Sequence, residues 1–346
     1  MGERADGEGN LRATARLPIS VYGLGRTGRL PTSHPTPVVQ LRFLTLDVFT
    51  GTPFGGNQLA VFPDATAIPE AQLLPITREF NYSEVTFCYP PADAAHTRRV
   101  RIFTPGGEIP FAGHPCIGTA GALALGEGAL GAAAGGRLTL ELGVGVVPVE
   151  TRIESPSRVW AEFSVAKLPE VGPQAPTLNT LAEILSLEPN DLVGGGLSPQ
   201  AVSCGYPFLL VPLKSLAALQ RARVRMDRWE QTLRRFWAPE IFLAARDPES
   251  GEHHWRARMF APGINITEDP ATGSGVAAFG GWLAQKDPRP DGNFAWTVDQ
   301  GIEMGRASRL EVRAEKAAGA VTAVRVAGQA VLVGEGRLTV GDVATR

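Results

Sequence analysis

Arg101-Ile102-Phe103-Thr104-Pro105-Gly106 and Arg258-Met259-Phe260-Ala261-Pro262-Gly263 decide how this chain is read. Arginine, phenylalanine, proline and glycine recur in the same order at an offset of 157. Past the loop that follows each block, Gly113 matches Gly273, Gly121 matches Gly281, Leu123 matches Leu283 and Ala124 matches Ala284, at an offset of 160. The second loop is therefore three residues longer. Two matched blocks in one order, each running from strand through loop into helix, mark an internal repeat. The chain reads as two similar α/β halves, each presenting one loop-to-helix junction.

The flanking pattern agrees. In the first half, β-rich or alternating runs predict strands over 41–49, 58–62, 85–89, 100–103, 137–142, 146–153 and 159–164. Helical spacing covers 69–80, and a small, apolar helix fits 116–125. In the second half, strands are expected at 202–204, 208–212, 241–245 and 255–260, with helical pieces at 216–220, 227–237 and 275–285. The tail reads as four strands, at 309–312, 323–326, 330–333 and 337–340.

The junctions are where chemistry is expected. A helix start leaves backbone N–H groups unpaired and carries partial positive charge, so it suits a carboxylate or phosphate. Glycine there lets a ligand approach the backbone closely. Gly113-His114-Pro115-Cys116-Ile117-Gly118 has this composition, with proline tolerated in the first turn. Asp269-Pro270-Ala271-Thr272-Gly273-Ser274-Gly275 has it too, with Thr272 or Ser274 able to cap. Two such ends aimed at one cleft would grip an acidic substrate from both sides. The plainer alternative is two well-capped helices that bind nothing.

Three side chains near the junctions can move protons. His114, at a helix start, is biased towards the neutral imidazole, though a histidine there is more often a structural donor. Asp269 precedes Pro270, where an aspartate commonly serves a turn or a cap. Glu84 opens the run Val85-Thr86-Phe87. Desolvated there, its raised pKa would suit a general base; from local sequence alone an exposed strand-end glutamate is the better expectation.

Bulk properties narrow the classes. The 346 residues suggest two domains at about 150 residues each. Hydrophobic residues make up 44% and charged residues 20%, which is enough apolar material for a large core. A net charge of −2 offers no basic stripe for nucleic acid. Arg221, Arg223, Arg225 and Arg228 cluster, but across 221–225 they alternate with Ala222 and Val224 as on a solvated edge. Cys88, Cys116 and Cys204 form neither a metal-ligand spacing nor a disulfide framework, and point to a reducing, cytoplasmic compartment. No apolar run reaches the roughly 18 residues of a membrane span. No Walker A, GxGxxG or HExxH pattern occurs, so a nucleotide or metal enzyme fits poorly. Residues 1–40, rich in glycine, arginine, proline and threonine and lacking an apolar signal core, are expected to be a disordered extension.

Together these segments carry a resemblance. Leu46-Asp47-Val48-Phe49, Gly56-Asn57-Gln58-Leu59-Ala60-Val61, Ser83-Glu84-Val85-Thr86-Phe87 and Arg101-Ile102-Phe103-Thr104-Pro105 follow one another in the order found in PhzF-like phenazine biosynthesis proteins. So do Glu108-Ile109-Pro110-Phe111-Ala112-Gly113-His114-Pro115, Glu268-Asp269-Pro270-Ala271-Thr272-Gly273-Ser274 and Gln300-Gly301-Ile302-Glu303-Met304-Gly305-Arg306. The matches run from about residue 43 to 340.

The resemblance implies a diaminopimelate-epimerase-like fold, with two pseudo-symmetric domains each wrapping a mixed sheet around a central helix. The domains would cover 41–160, rejoined by the chain end near 338–346, and 161–337. It implies an isomerase that moves a proton on a small carboxylate-bearing substrate, such as a cyclic dihydro-hydroxyanthranilate, with no organic cofactor and no metal. Glu84 would be the acid/base, and His114 and Asp269 its catalytic partners. Asn57, Gly113, Gly273 and Ser274 would bind substrate. A homodimer is expected, with no nucleic-acid or membrane partner. Related epimerases and racemases place a thiol before each helix-start glycine; here those positions are Ala112 and Thr272, which argues against a two-thiol racemase. Cys116 is off that register and reads as a buried structural thiol. The competing expectations are racemisation or a dehydratase-like elimination on another small acid, and a non-catalytic binding protein on the same fold.

Overall fold

The computed structural model describes residues 39–126 and 136–340. The extension expected at 1–40 lies outside the described residues up to 38; Val39 and Gln40 already belong to the first strand.

The first half runs β1 (Val39–Val48), β2 (Asn57–Phe62), α1 (Glu70–Phe80), β3 (Glu84–Tyr89), β4 (Arg98–Thr104), β5 (Gly107–Ile109), α2 (Gly113–Leu125), β6 (Gly136–Leu142), β7 (Gly145–Ser155) and β8 (Arg158–Ser164). The second opens with β9 (Glu170–Gln174) and α3 (Leu178–Leu185). It continues through β10 (Gln200–Ser203), β11 (Pro207–Leu213), α4 (Leu216–Arg221), α5 (Met226–Thr232), β12 (Ile241–Arg246), β13 (His254–Ala261) and β14 (Ile266–Asp269). It closes with α6 (Gly273–Lys286), β15 (Gly292–Gln300), β16 (Ser308–Ala317) and β17 (Ala320–Val340).

The sequence repeat has a structural counterpart. β2 pairs parallel with β3, and β11 with β12. β4 is antiparallel to β5 and parallel to β6; β13 is antiparallel to β14 and parallel to β15. The order from β1 to β8 is thus repeated from β10 to β17, each copy a mixed sheet around one helix. The halves pack so extensively that by chain contacts they form one compact unit.

α2 and α6 are those central helices. Both are largely apolar and rich in small residues, the pattern of a helix with no solvent side, and both are buried along nearly their whole length. Small residues let the strands close in: a Cβ on Gly121 would stand 2.7 Å from Val159 Cγ1, and one on its repeat partner Gly281 would collide with Pro169. Outside the sheets, α1 covers an aromatic layer built from Phe62, Phe80, Phe87 and Phe103, while α3, α4 and α5 cover Leu209, Val211, Ile241 and Leu243. α2 starts three residues earlier than its composition suggested, at Gly113 itself.

The tail departs most from expectation. The stretches expected as strands at 323–326, 330–333 and 337–340 are one continuous strand of 21 residues, β17. Its glycines make room for rings: a Cβ on Gly328 would strike Phe49, and one on Gly336 would meet Phe43 Cζ at 2.5 Å. The strand's register slips twice: against β1, Thr45 faces Gly334 and Leu46 faces Leu332, leaving Val333 unmatched, and against β16, Glu315 faces Ala323 and Lys316 faces Val321, leaving Thr322 unmatched. β17 pairs in turn with β16, β8 and β1. β9, α3 and β15 had no counterpart in the sequence-based assignment.

Candidate active site

The starts of α2 and α6 meet. A Cβ on Gly113 would lie 2.5 Å from the Cα and carbonyl carbon of Gly273 and from Ser274 N, so the two backbones touch where only glycine fits. No side chain caps either helix. Ala112 has none to offer, and Thr272, expected as a possible cap, turns its hydroxyl to Asp269 Oδ2 instead, at 2.6 Å. Gly113, His114, Gly273 and Ser274 therefore bring uncapped helix starts to the wall of a shared cavity. Such a wall favours an anion.

Three ionisable groups anticipated from sequence converge there. Glu84, His114 and Asp269 line the cavity and are buried, at 5%, 1% and 3% exposure. Glu84 is not the exposed strand-end residue that its local sequence favours. β3 lies between β2 and β4, and the residue opposite Glu84 is Leu59, at 0% exposure. Burial, with the nearby Asp269 charge, raises its carboxyl well above the ordinary carboxylate range. His114 is pushed the other way, to about 3, because burial disfavours the imidazolium more than its backbone hydrogen bond to Gln58 favours it. Burial lifts Asp269 to about 6, against the hydrogen bonds it accepts from Thr272, Ser83 and Asn57.

Donor counting at Asn57 bears on the histidine tautomer. Asn57 Nδ2 lies 2.7 Å from Asp269 Oδ1, 3.0 Å from the Ala271 carbonyl and 3.1 Å from His114 Nδ1. It has only two hydrogens, and the first two neighbours can only accept. A proton on Nδ1 would leave His114 needing nothing from Asn57 and free Nε2 as an acceptor. Nε2 faces Glu84 Oε2 at 3.4 Å. A neutral carboxyl opposite a neutral imidazole is the pairing that burial of both groups favours.

Asn57, expected among the substrate-binding residues, lies behind the cavity wall and ties His114, Asp269 and Ala271 together. Two residues without a role in the sequence reading also matter. Gln300, fully buried, donates to the Asp269 carbonyl at 2.7 Å and to Thr272 Oγ1 at 3.0 Å, and accepts from Thr272 N at 3.1 Å. It clamps the turn that sets Asp269 against the start of α6. Glu240 lines the same cavity at 1% exposure. Neither could be found by local pattern, since their neighbours come from distant segments. Cys116 is buried, donates to the Ala112 carbonyl at 3.1 Å, and has its thiol pushed up by burial, as befits a structural residue.

The cavity measures only about 20 Å³, room for about one water. Its apolar walls include Ile109, Phe111, Tyr206, Phe208, Met259 and Ile264, contributed by both halves. Admission of a substrate requires those walls to part. No described helix is long and apolar enough to cross a membrane.

Fold and site define a class: an enzyme of diaminopimelate-epimerase-like fold with acid–base groups enclosed between two helix starts. A family model described as phenazine biosynthesis-like protein matches residues 46–336. An uncharacterized isomerase of Mesorhizobium japonicum is 36% identical over 302 residues, covering 86% of this chain and 98% of its own. The trans-2,3-dihydro-3-hydroxyanthranilate isomerase of Pseudomonas aeruginosa is 34% identical over 306 residues, with coverages of 86% and 98%. The crystal structure of a PhzF-family phenazine biosynthesis protein from Bacillus anthracis superposes with a TM-score of 0.75 at 25% identity, covering 87% of this chain and all of that one. This chain belongs to the phenazine biosynthesis-like (PhzF) family, and it is an isomerase.

Proposed function

We propose that this isomerase moves a proton between two carbons of a small carboxylate-bearing molecule, with Glu84 as the acid/base. One observation carries the reading: Glu84 Oε2 is buried on the cavity wall without a hydrogen-bond partner, beside two uncapped helix starts. The N–H groups near Gly113, Gly273 and Ser274 would hold the substrate carboxylate. A carboxyl lifted towards neutrality rests protonated: it gives its proton to one carbon, takes the proton of the other as the carboxylate, and ends the turnover protonated again. His114, neutral and accepting at Nε2, keeps the Glu84 proton in place between cycles, and Asp269, held by Asn57, Ser83 and Thr272, fixes the opposite side. The substrate named for the Pseudomonas aeruginosa relative, a cyclic hydroxy-amino acid, is the first to test.

Replacing Glu84 with glutamine keeps the shape and removes the base. Turnover should fall by about 10²–10⁴-fold, the usual worth of a positioned acid/base, while benzoate still binds. Unchanged turnover would discard this role.

The domain boundaries belong to the same proposal: 41–160 and 161–337, with the end of β17 returning to the first. Pairing of Leu338 with Leu41 supports that return. The three buried, free cysteines fit a reducing compartment such as the cytoplasm. The homodimer rests on the family resemblance, and light scattering checks it.

A further inference from the structure

Glu240 is a buried carboxyl that the proton-transfer scheme leaves unused. It sits just before β12, where its carbonyl accepts from Leu209 N at 2.8 Å, and its side chain reaches the cavity. Among the described residues it has no cationic partner. Its oxygens meet two donors, both at the far limit of hydrogen bonding: Tyr206 Oη at 3.4 Å and Gly263 N at 3.4 Å. A carboxylate has about four acceptor positions, so most of its capacity is unspent. Buried acceptors are ordinarily satisfied, and leaving one short is costly. Position 263 accommodates it closely, since a Cβ there would come within 2.6 Å of Glu240 Oε1.

A purely structural Glu240, pinning the turn at 262–264, would be expected to make short bonds to Gly263 and Tyr206. Both are long. The phenol of Tyr206 is itself raised by burial first, then by the Glu240 and Glu84 carboxyls, which places it within the electrostatic reach of both acids. Burial lifts Glu240 to about 7. A ligand N–H or O–H group entering the cavity would supply the donor this carboxyl lacks.

We propose that Glu240 is a specificity-determining residue, accepting a hydrogen bond from an amino or hydroxyl group that the substrate carries in addition to its carboxylate. This rests on the reading of the helix starts as the carboxylate cradle. The cradle recognises any small acid, and Glu240 selects among acids for those that bear a donor.

Benzoate and 3-hydroxyanthranilate separate the two recognitions, because they share a ring and carboxylate and differ in amino and hydroxyl donors. Binding is measured by calorimetry for the wild type, Glu240→Gln and Glu240→Asp, with a thermal melt of each. The wild type should prefer 3-hydroxyanthranilate by about tenfold or more, the scale of a hydrogen bond to a charged group. Glu240→Gln should lose most of that preference while binding benzoate unchanged. Glu240→Asp, which keeps the charge but shortens the reach, should fall between, and it carries the test if the glutamine variant melts early. Anthranilate and 3-hydroxybenzoate then tell the amino from the hydroxyl contact. An equal preference in all three proteins overturns the role of Glu240 and leaves the cradle standing. Failure of both benzoate and 3-hydroxyanthranilate to bind the wild type overturns the cradle, and this assignment with it.

Discussion

Glu84 Oε2 and His114 Nε2 face each other across 3.4 Å, and neither atom has a hydrogen-bond partner elsewhere among the described residues. Burial opposes charge on both, so the resting pair is a carboxylic acid opposite a neutral imidazole. A small inward movement turns that contact into a hydrogen bond. The same proximity gives a substrate competing for Glu84 a polar group to displace.

This pairing makes stability depend on pH in two opposed ways. Asp269 titrates near 6 in the folded chain against an ordinary 3.8, so its favourable contribution is complete below about 3.8 and is lost as pH rises through about 6. Glu84, also raised, acts in the same direction. His114, lowered from 6.5 to about 3, costs nothing above about 6.5 and destabilises increasingly as pH falls towards 3. Between about pH 4 and 6, Asp269→Asn should spare the fold a loss of roughly 3 kcal/mol, from a shift of about two units. His114→Gln should flatten the acid side instead. Denaturant titrations across this range measure both; an Asp269→Asn curve parallel to the wild type would contradict the assignment.

Gly113→Ala tests the meeting of the helix starts. Its methyl would fall 2.5 Å from backbone atoms of Gly273 and Ser274, which cannot swing aside as a side chain can. Overpacking of this kind costs about 1–3 kcal/mol, and forcing the junctions apart should weaken benzoate binding at least tenfold. Calorimetry and a melting curve on one sample read both effects. Full binding by a stable variant would place the anion elsewhere.

Gln300→Leu removes the clamp on the turn before α6. It strands the Thr272 N–H and leaves the Asp269 carbonyl short of a donor, both buried. At about 1–3 kcal/mol per stranded group, the fold should lose about 2–6 kcal/mol and turnover should fall more than tenfold. Gln300→Glu retains the acceptor for Thr272 N and should lie between. Stability and kcat measured together decide it: a stability loss with normal kcat reduces Gln300 to a packing role.

The repeated arginines should differ sharply in worth. Arg258 is buried, grips Glu268 through two bonds and donates to the carbonyls of Leu219, Gln220 and Ala222. Arg101 likewise grips Glu108 through two bonds and makes two more to Glu70, but both acids are exposed. Arg258→Ala should cost about 3–5 kcal/mol by orphaning a buried charge; Arg101→Ala should cost about 1 kcal/mol or less. Equal costs in denaturation would mean that the second bridge is as well solvated as the first.

What the sequence disclosed and what it withheld follow one physical division. The repeat, the small-residue helices and the junctions at Gly113 and Gly273 were legible because each is a local pattern tied to a local geometry. The burial of Glu84 was not, because a glutamate opening a strand looks the same whether the sheet or the solvent lies beyond it. The continuity of β17 was not legible either, because Gly328 and Gly336 answer to Phe49 and Phe43, nearly three hundred residues away. Glu240 and Gln300 fail for the same reason. Their roles are created by Tyr206, Gly263, Asp269 and Thr272, brought to them only by the finished fold.

β17 shapes how this chain comes to be made as well as how it stands. Its last stretch is hydrogen-bonded to β1, nearly the whole described length away, and its middle to β8. During synthesis from the N-terminal side, β1 emerges early and β2 can cover one of its edges; its other edge must wait until residues 330–340 leave the ribosome. An unpaired edge is an invitation to foreign strands. That edge of β1 therefore stays open until β17 has emerged, and chains stalled before this strand should be the ones that chaperones hold.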